Sequence, residues 1–357
     1  MSENNGIRAL SKVYSLLEDG ISREIFLAQL NHLVSGRSKY IDDIVEKYLP
    51  HIPIRNGLDI CDLLTTIPQE SQIVLYGAGM DLAMNIESFK VDKRIVAICD
   101  ADKDKQGESL YGYTVISPEQ LIENPTYSVI ITSHVALKSI KQFLLENRYP
   151  NDQIYELGPY IFCADDGQYF DVDFWKYDEE NGEVFIDDGC CNLQSTLFLG
   201  KYCKNIKKVY AFEPDPLNYL ECKGIRDKHS LSRVELIQKG TWSSSGTISF
   251  SSTNDGASHI AEEGETKIDV VAIDDVIDPN DRVTLIKMDV EGAELESLKG
   301  AEKCIKRDKP KLAICTYHKP EDMYELPLYI KSIVPEYKLY IRHHSNIGAE
   351  SVLYATV

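Results

Sequence analysis

Acidic residues follow three apolar segments of this chain, at the points where strands would end. The segments are residues 184–189 (Val-Phe-Ile-Asp-Asp-Gly), 210–214 (Tyr-Ala-Phe-Glu-Pro) and 284–294 (Thr-Leu-Ile-Lys-Met-Asp-Val-Glu-Gly-Ala-Glu). The carboxyl ends of parallel strands meet at one edge of a sheet, so the three acidic ends can converge on one crevice. A nucleoside cofactor would lie at such an edge, and the pattern suggests S-adenosylmethionine.

The first two strand ends supply groups for binding this cofactor. Asp187, Gly189 and Cys190 surround a turn whose main-chain N–H groups and following helix N-terminus suit the methionine carboxylate. Glu213 can accept hydrogen bonds from both ribose hydroxyls, and Pro214 stops its strand there. The structural alternative for either acid alone is that it caps the helix that follows, and the sequence leaves both readings open.

A further strand is followed by residues 238–242 (Gln-Lys-Gly-Thr-Trp). We place Gly240 and Thr241 beside the adenine, because glycine gives this segment freedom to approach a flat ring. Trp242 is either a stacking platform for the adenine or part of the core.

The catalytic candidates follow the last two parallel strands. Asp289 ends one strand, and Gly292 frees the next loop to present Glu291. Glu294 falls in the first turn of a helix, where its only role could be a favourable interaction with the helix dipole. His318 follows the fifth strand and is the general-base candidate, with a structural, hydrogen-bonded histidine as the alternative.

The same acidic cluster raises the question of whether the protein binds a divalent metal. Three carboxylates could hold Mg²⁺ through their oxygens, but their spacing alone does not support a divalent metal site.

Hydrophobic periodicity divides the chain into four parts. Residues 1–65 repeat apolar side chains at helical steps and predict a helical prefix. Short β-rich runs alternate with helical ones over residues 66–160, which predicts a Rossmann-like domain. An aromatic and acidic connector at 161–180 leads to a second α/β domain at 181–357.

The predicted fold class is α/β, with two doubly wound Rossmann-like units after the prefix. The second unit should end in an antiparallel hairpin, because residues 337–342 and 351–355 alternate in polarity around a Ser-Asn-Ile-Gly turn.

Composition bounds the function. The 57 acidic and 38 basic residues give a net charge of -19, which disfavours nucleic acid and anionic lipid as partners. The nine cysteines lack paired C-x-x-C spacing, and the chain opens without a signal segment, so we expect a cytoplasmic protein. No apolar run approaches the about 18 residues of a membrane helix, so we expect no membrane insertion.

The C-terminal half resembles the FkbM family of S-adenosylmethionine-dependent methyltransferases. The resemblance rests on the three strand-end motifs above and on residues 298–301 (Leu-Lys-Gly-Ala) and 309–310 (Lys-Pro). It implies a class I methyltransferase sheet and methylation of hydroxyls on sugars, glycolipids or polyketide-type natural products. The chain departs from the family at Leu193, where a further glycine is usual, and this puts the methionine end of the pocket in doubt.

The first α/β domain resembles the nucleotide-binding-type domain found in several sugar-modifying enzymes. Residues 76–79 (Tyr-Gly-Ala-Gly) follow one strand and Asp100 follows the next, but Leu82 replaces the third glycine of a dinucleotide motif. A nicotinamide-dependent sugar enzyme is therefore an alternative that the sequence supports less well.

We expect an S-adenosylmethionine-dependent O-methyltransferase that acts on a hydroxyl of a sugar, glycan or glycosylated natural product. Asp289, Glu291 and His318 would carry catalysis, and Asp289 would also bind the cofactor together with Asp187, Gly189 and Glu213. The rival expectation is a non-catalytic scaffold that binds a glycan or a partner protein on a degenerate methyltransferase fold. The sequence leaves the acceptor and the oligomeric state open, a homodimer included.

Overall fold

A computed structural model of the chain describes residues 3–165, 167–251, 259–260 and 266–357. Its helices are α1 (Glu3–Leu16), α2 (Gly20–Ser35), α3 (Lys39–Tyr48), α4 (Ile60–Thr66), α5 (Met80–Phe89), α6 (Pro118–Glu123), α7 (Leu137–Glu146), α8 (Gln194–Tyr202), α9 (Pro216–Lys228), α10 (Ile273–Val276), α11 (Glu294–Gly300), α12 (Glu302–Asp308) and α13 (Asp322–Ile333). Short 3₁₀ turns lie at Asn151–Gln153 and Gly158–Tyr160. None of these helices is both long and apolar enough to cross a membrane.

The strands are β1 (Ile73–Tyr76), β2 (Ile95–Cys99), β3 (Ser109–Leu110), β4 (Tyr113–Ile116), β5 (Ser128–Ile131), β6 (Ile154–Glu156), β7 (Glu183–Asp188), β8 (Ile206–Phe212), β9 (Val234–Ile237), β10 (Gly240–Thr241), β11 (Gly246–Ser251), β12 (His259–Ile260), β13 (Thr266–Val271), β14 (Leu285–Met288), β15 (Lys311–Cys315), β16 (Lys338–His343) and β17 (Ser351–Thr356).

The chain forms two compact units. The larger unit contains Met1–Arg37, Asp166–His344 and Gly348–Val357, and the smaller unit contains Ser38–Asp165 and Ser345–Ile347. Each unit has its own sheet and its own apolar core. The predicted α/β class with two Rossmann-like units is confirmed.

The larger unit is built on a seven-stranded sheet in the order β16-β17-β15-β14-β7-β8-β9. Strand β7 pairs in parallel with β14 on one side and with β8 on the other, so the carboxyl ends of these strands lie side by side. Strand β17 pairs antiparallel with both β15 and β16. The sheet thus finishes in the predicted antiparallel hairpin.

The central strands of this sheet are buried because their apolar runs are covered on both faces. Phe185 and Ile186 on β7, and Leu285 and Ile286 on β14, have no exposed surface. Near-continuous apolar sequence is typical of parallel strands packed in this way. The rigid centre of the unit therefore lies directly beneath the strand ends that carry the acidic residues.

A second sheet of the larger unit was not predicted. It has four strands in the order β10-β13-β11-β12, and Ile248 on β11 lies opposite Ile268 on β13. Both strands alternate polar and apolar residues, which is the two-residue period of a half-exposed strand. This sheet stands beside the carboxyl edge of the larger sheet and contributes to the site described below.

The predicted helical prefix, residues 1–65, is divided between the two units. Helices α1 and α2 belong to the larger unit, where the Glu18 N–H donates to the Leu339 carbonyl oxygen at 3.0 Å. Helices α3 and α4 belong to the smaller unit, where Ile41 and Val45 join the core. Most of the predicted connector also packs in the larger unit, as the buried Phe170 and Trp175 show.

The smaller unit holds a six-stranded sheet in the order β3-β4-β2-β1-β5-β6. Strand β1 pairs in parallel with β2 and β5, and helices α5, α6 and α7 connect the strands. The predicted βαβ pattern of this part of the chain is present.

Candidate functional site

A cleft with a volume of about 230 Å³ opens at the carboxyl edge of the larger sheet, where β7, β8 and β14 end. Its walls come from the loops that follow these strands and from the four-stranded sheet. The acidic residues that line it are Asp188, Glu213, Asp215, Asp289 and Glu291. The three acidic strand ends of the sequence therefore meet at one place.

The turn after β7 depends on glycine. Gly189 has φ +75° and lines the cleft, and a Cβ atom on it would lie 1.9 Å from the carbonyl oxygen of Asp289. The β7 and β14 turns consequently approach each other more closely than any side chain at position 189 would allow. Cys191, two residues later, also lines the cleft.

Leu193 adopts the left-handed conformation, with φ +57°, that usually favours glycine. Its side chain is fully buried and packs in the apolar core of the larger unit. It is not among the described residues that line the cleft. The loop therefore keeps a glycine-like backbone path at this position while the leucine side chain points away from the cleft.

The adjacent acids of β7 have different surroundings. Asp188 lines the cleft, and the Thr241 hydroxyl donates to its two carboxylate oxygens at 2.9 and 2.8 Å. Burial raises the pKa of Asp188 to about 7 in spite of those hydrogen bonds. Asp187 is fully buried and accepts hydrogen bonds from the Ser195 and Thr196 hydroxyls at the start of α8.

The other side chains near Asp187 are also turned inward. Lys287, itself buried, places its Nζ atom 3.5 Å from an Asp187 carboxylate oxygen. The Cys190 N–H donates to the Phe212 carbonyl oxygen at 3.0 Å, and its sulfur lies 3.8 Å from that of Cys222. Of the residues predicted to bind cofactor, Asp187 and Cys190 thus lie beneath the cleft, where they fix the turn after β7.

Glu213 ends β8 and lines the cleft with about a twentieth of its surface exposed. Its carboxylate accepts from the Asp215 N–H at 2.8 Å, which fixes its orientation. Burial raises the pKa of Glu213 to about 7. A partly desolvated carboxylate held at a strand end is well suited to accept hydrogen bonds from a pair of hydroxyl groups.

An apolar wall forms another part of the cleft. It is formed by Ile248, Ile268 and Val270 from the four-stranded sheet, together with Pro214. A Cβ atom on Gly240 would lie 3.3 Å from a Val270 methyl group, so the small residue keeps this wall accessible. Trp242 packs against the Ile268 and Val270 cluster and is not among the described residues of the cleft.

His318 sits among three carboxylates. Its Nδ1 lies 2.7 Å from Glu294 Oε1, and its Nε2 lies 3.4 Å from Glu291 Oε2 and 3.5 Å from Asp289 Oδ1. Burial lowers its pKa, but the carboxylates outweigh that effect and raise the pKa of His318 to about 9. The imidazole is therefore predominantly cationic at neutral pH.

The Glu294 side chain fixes the orientation of this imidazole. Fully buried in α11, it accepts from the Val290 N–H at 3.1 Å as well as from His318. Because the carboxylate engages Nδ1, the Nε2 atom is the one that faces Asp289 and Glu291. A histidine whose second nitrogen is held by a carboxylate has the arrangement of a general base.

Asp289 joins the His318 cluster to two tyrosines. The Tyr169 hydroxyl donates to Asp289 Oδ2 at 2.9 Å, and the Tyr317 hydroxyl donates to Oδ1 at 3.1 Å. Burial disfavours the ionised form, but the nearby Lys287 and His318 cations hold the pKa of Asp289 below its usual range. The carboxylate is consequently ionised and rigidly positioned at the end of the cleft.

Sequence reasoning missed several residues of the site. Asp188 was not singled out from its motif as a ligand-binding residue, and Tyr169 lies in the predicted connector. Ile268 and Val270 belong to the sheet that was not predicted. The alternation of residues 266–271 was the available signal for that wall, whereas Tyr169 carries no local signal because it reaches Asp289 through the tertiary fold alone.

Among the described residues, no three His, Cys, Asp or Glu side chains are arranged as ligands for a metal ion. The three carboxylates that the sequence left open as ligands of Mg²⁺ are directed at the His318 imidazole instead.

In the smaller unit, the glycine loop after β1 is hydrogen-bonded to Asp100, the acidic residue that follows β2. Gly77 has φ +120°, and the Ala78 N–H donates to Asp100 Oδ2 at 2.7 Å. Leu82, which replaces the third glycine of the dinucleotide motif, is fully buried. The Ala78 N–H and the Asp100 carboxylate, which a dinucleotide would use, thus form a hydrogen bond with each other.

Comparison with known proteins gives two family matches. Residues 180–339 match the methyltransferase FkbM domain, and residues 69–155 match the C2185-like N-terminal domain. The hexuronic acid methyltransferase AglP of Haloferax volcanii is 32% identical over 103 residues, which are 28% of this chain and 43% of that protein. The chain thus spans less than half of the length of this relative.

Two solved structures are also similar. The methyltransferase FkbM from Methylobacillus flagellatus KT is 21% identical, with 94% of this chain and 99% of that chain covered at a TM-score of 0.47. An rRNA methylase from Streptococcus thermophilus is 16% identical, with 49% of this chain and 87% of that chain covered at a TM-score of 0.33. The match of residues 180–339 to the methyltransferase FkbM domain confirms the resemblance inferred from the strand-end motifs.

Proposed function

We propose that the larger unit is an S-adenosylmethionine-dependent O-methyltransferase that acts on a hydroxyl of a sugar, glycan or glycosylated natural product. The observation that carries the proposal is the convergence of the Gly189 turn, the Glu213 carboxylate and the His318 cluster at one sheet edge, within an FkbM domain. The similarity to a hexuronic acid methyltransferase supports a sugar as the acceptor.

The residues of the cleft fit S-adenosylmethionine. The close approach at Gly189 leaves main-chain groups free of side-chain cover, Glu213 suits the ribose hydroxyls, and the wall of Ile268 and Val270 suits the adenine. Asp188 and Asp289 add negative charge to the same cleft, which favours a cationic ligand. When bound, this cofactor supplies an electrophilic methyl group.

The residues beside the cleft would prepare the acceptor. An alcohol is too weakly acidic to ionise alone at neutral pH, so a base must take its proton as the new O–C bond forms. We assign that role to His318 Nε2, which Glu294 orients, with Asp289 and Glu291 available to hold the hydroxyl group. Positioning of the acceptor by these groups would supply a further part of the rate.

The rival scaffold function is less well supported. It is motivated by Leu193, Cys190 and Cys191 in the turn after β7. The side chains of Leu193 and Cys190 pack in the core, and only Cys191 of the three lines the cleft. A cleft with a buried carboxylate beside an oriented histidine is more typical of a catalytic site than of a binding scaffold.

A cytoplasmic location is part of the proposal. All nine cysteines are unpaired in the described chain, which suits a reducing compartment.

Calorimetry with S-adenosylhomocysteine tests the proposal. We expect saturable binding by the full chain and a loss of at least about tenfold in affinity for Glu213→Ala, since a hydrogen-bonded carboxylate is removed. Glu235→Ala is the matched control, because Glu235 on β9 pairs with Lys208 and does not line the cleft. Absence of binding by the wild-type protein, or equal affinities for wild type and Glu213→Ala, would contradict the proposal.

A further inference from the structure

A second cavity lies in the larger unit, between α2 and the loop that carries His318. Its volume is about 100 Å³, and its lining includes Phe26, Gln29 and His32 from α2 and Tyr317 and Lys319 from the loop after β15. We refer to it as the α2 cavity. It has room for a carboxylate group and part of a sugar ring, since about 10–15 Å³ of such space holds one water molecule.

Helix α2 is firmly attached to the sheet at this point. Asp19, which caps the helix, pairs with Arg342 on β16 at 2.6 Å, and the Ser22 hydroxyl accepts from the Ile341 N–H at 3.0 Å. Farther along the helix, the Gln29 amide donates to the Ser351 hydroxyl on β17 at 2.7 Å. The α2 wall of the cavity is therefore fixed to the same sheet that positions the methyltransferase site.

The α2 cavity adjoins the proposed reaction site. Tyr317 lines the cavity and donates its hydroxyl hydrogen to Asp289, which lines the cofactor cleft. His318 and Lys319 are successive residues of one loop, and Lys319 Nζ donates to the Gly292 carbonyl oxygen in the loop after β14. The α2 cavity is therefore lined by the residues on either side of His318 in the chain.

The charge of the α2 cavity differs from that of the chain. The chain carries a net charge of -19, yet none of the described residues that line this cavity is acidic. Lys319 lines the cavity, and its ammonium group, which donates to the Gly292 carbonyl oxygen, keeps further N–H donors. This lining favours a neutral or negatively charged ligand over a cationic one.

The remaining lining groups suit a carbohydrate. The His32 Nδ1 lies 3.0 Å from the Arg37 carbonyl oxygen, so this nitrogen donates and the Nε2 atom is the one turned to Gly348 and the cavity. Phe26, Met323 and Tyr317 provide apolar surface for the faces of a ring. Mixed apolar faces and a few oriented polar groups are typical of small-molecule sites.

From these contacts we propose that the α2 cavity is the acceptor subsite and that it takes an acceptor sugar carrying a carboxylate, with Lys319 as the partner of that group. This inference rests on the proposed function and adds to it the location of the acceptor and its charge. It also gives the N-terminal helices a role, since α2 supplies one wall of the subsite.

The test uses two probes that differ in one group, para-nitrophenyl β-glucuronide and para-nitrophenyl β-glucoside. Each is titrated calorimetrically into the full chain with and without saturating S-adenosylhomocysteine. We expect the glucuronide to bind at least about tenfold more tightly than the glucoside, because a charge-assisted hydrogen bond is present in one complex alone. The preference should disappear in Lys319→Gln and persist in Lys306→Gln, which removes a cation on α12.

Gly348→Ala is a second variant that leaves Lys319 in place. A Cβ atom at this position would lie 2.5 Å from His32 Nε2, so the imidazole must move and both probes should bind more weakly. Equal affinities of the wild-type protein for the two probes, no binding of either, or a preference that survives Lys319→Gln overturns the inference. If S-adenosylhomocysteine binds in such an experiment, the proposed methyltransferase function still stands; if it does not bind, that function fails whatever the probes do.

Discussion

At the scale of single residues, His318 is the group on which the proposed chemistry depends most. Its three carboxylate neighbours raise its pKa to about 9, so the neutral form that can accept a proton is a small fraction at pH 7. The same neighbours make that neutral form a strong base. The high pKa of His318 therefore lowers the fraction of the imidazole that is neutral and raises the proton affinity of that neutral form. The balance between these two effects sets the pH dependence of the reaction.

We expect kcat/KM for methyl transfer to rise with pH up to about 9, because deprotonation of His318 creates the base. His318→Gln should lower kcat by a factor of about 100 to 10,000 and remove this rise, while binding of S-adenosylhomocysteine is retained. His229→Gln, at the exposed end of α9, is the control. Methyl transfer by His318→Gln at the wild-type rate would show that another group takes the proton.

A neighbouring pair of residues shows what sequence can and cannot supply at this scale. Asp187 and Asp188 are adjacent acids at the end of β7, and either could have faced a ligand. Successive residues of a strand point to opposite faces of the sheet, and the register with β14 sets Asp187 beside the buried Lys287. The motif indicated the strand end, but the face taken by each acid depends on a pairing that no local pattern contains.

At the scale of elements, the turn between β7 and α8 combines a glycine-like backbone with a core side chain. Leu193 has φ +57° and no exposed surface, so its unfavourable backbone conformation is offset by its burial. A leucine in the left-handed region costs about 1–2 kcal/mol. Removing a buried leucine costs about 2–5 kcal/mol.

Leu193→Gly should therefore destabilise the larger unit by about 1–3 kcal/mol, the difference between these effects. Leu193→Ala should be destabilised more than Leu193→Gly, since it loses the core contacts and keeps the strained backbone. Urea unfolding measures both. Affinity for S-adenosylhomocysteine should stay within about twofold of the wild-type value, and a marked gain in affinity for Leu193→Gly would mean that the leucine does obstruct the cleft.

The elements themselves were predictable to different degrees. The predicted alternation of strands and helices in both α/β domains is present, with strands such as Ile73–Tyr76, Ser128–Ile131, Ile206–Phe212 and Lys311–Cys315. The division of the helical prefix was not predictable, because the helical period of α2 or α3 does not say which core receives the helix. Tertiary contacts determine which core each helix packs against, and the helical period carries no information about those contacts.

At the scale of the whole molecule, the larger unit carries an unusual set of buried titratable groups. Burial raises the pKa values of Asp188, Glu213, Asp322 and Glu350 to about 7, and the carboxylates around His318 raise its pKa to about 9. Each group binds its proton more tightly in the folded state than in the unfolded state. The stability that this proton binding contributes is fully present below the unfolded pKa and is lost as pH rises through the folded pKa.

The free energy of unfolding of the larger unit should therefore fall between about pH 5 and pH 9, by up to about 1.4 kcal/mol per pH unit for each group that titrates. Tryptophan fluorescence reports this unit alone, because Trp175 and Trp242 are the only tryptophans of the chain and both lie within it. Urea titrations across this pH range measure the slope. Glu213→Gln should reduce the slope between pH 5 and 7, and a stability that rises with pH over the whole range would contradict the assignment of these groups as buried acids.

A crystal structure of the full chain with S-adenosylhomocysteine tests most directly whether the edge of the larger sheet is a cofactor site. We predict the ribose on Glu213, the adenine against Ile268 and Val270, and Leu193 still packed in the core. A cleft that stays closed to the ligand at saturating concentration, or a ligand bound away from Glu213, would contradict the proposed methyltransferase function.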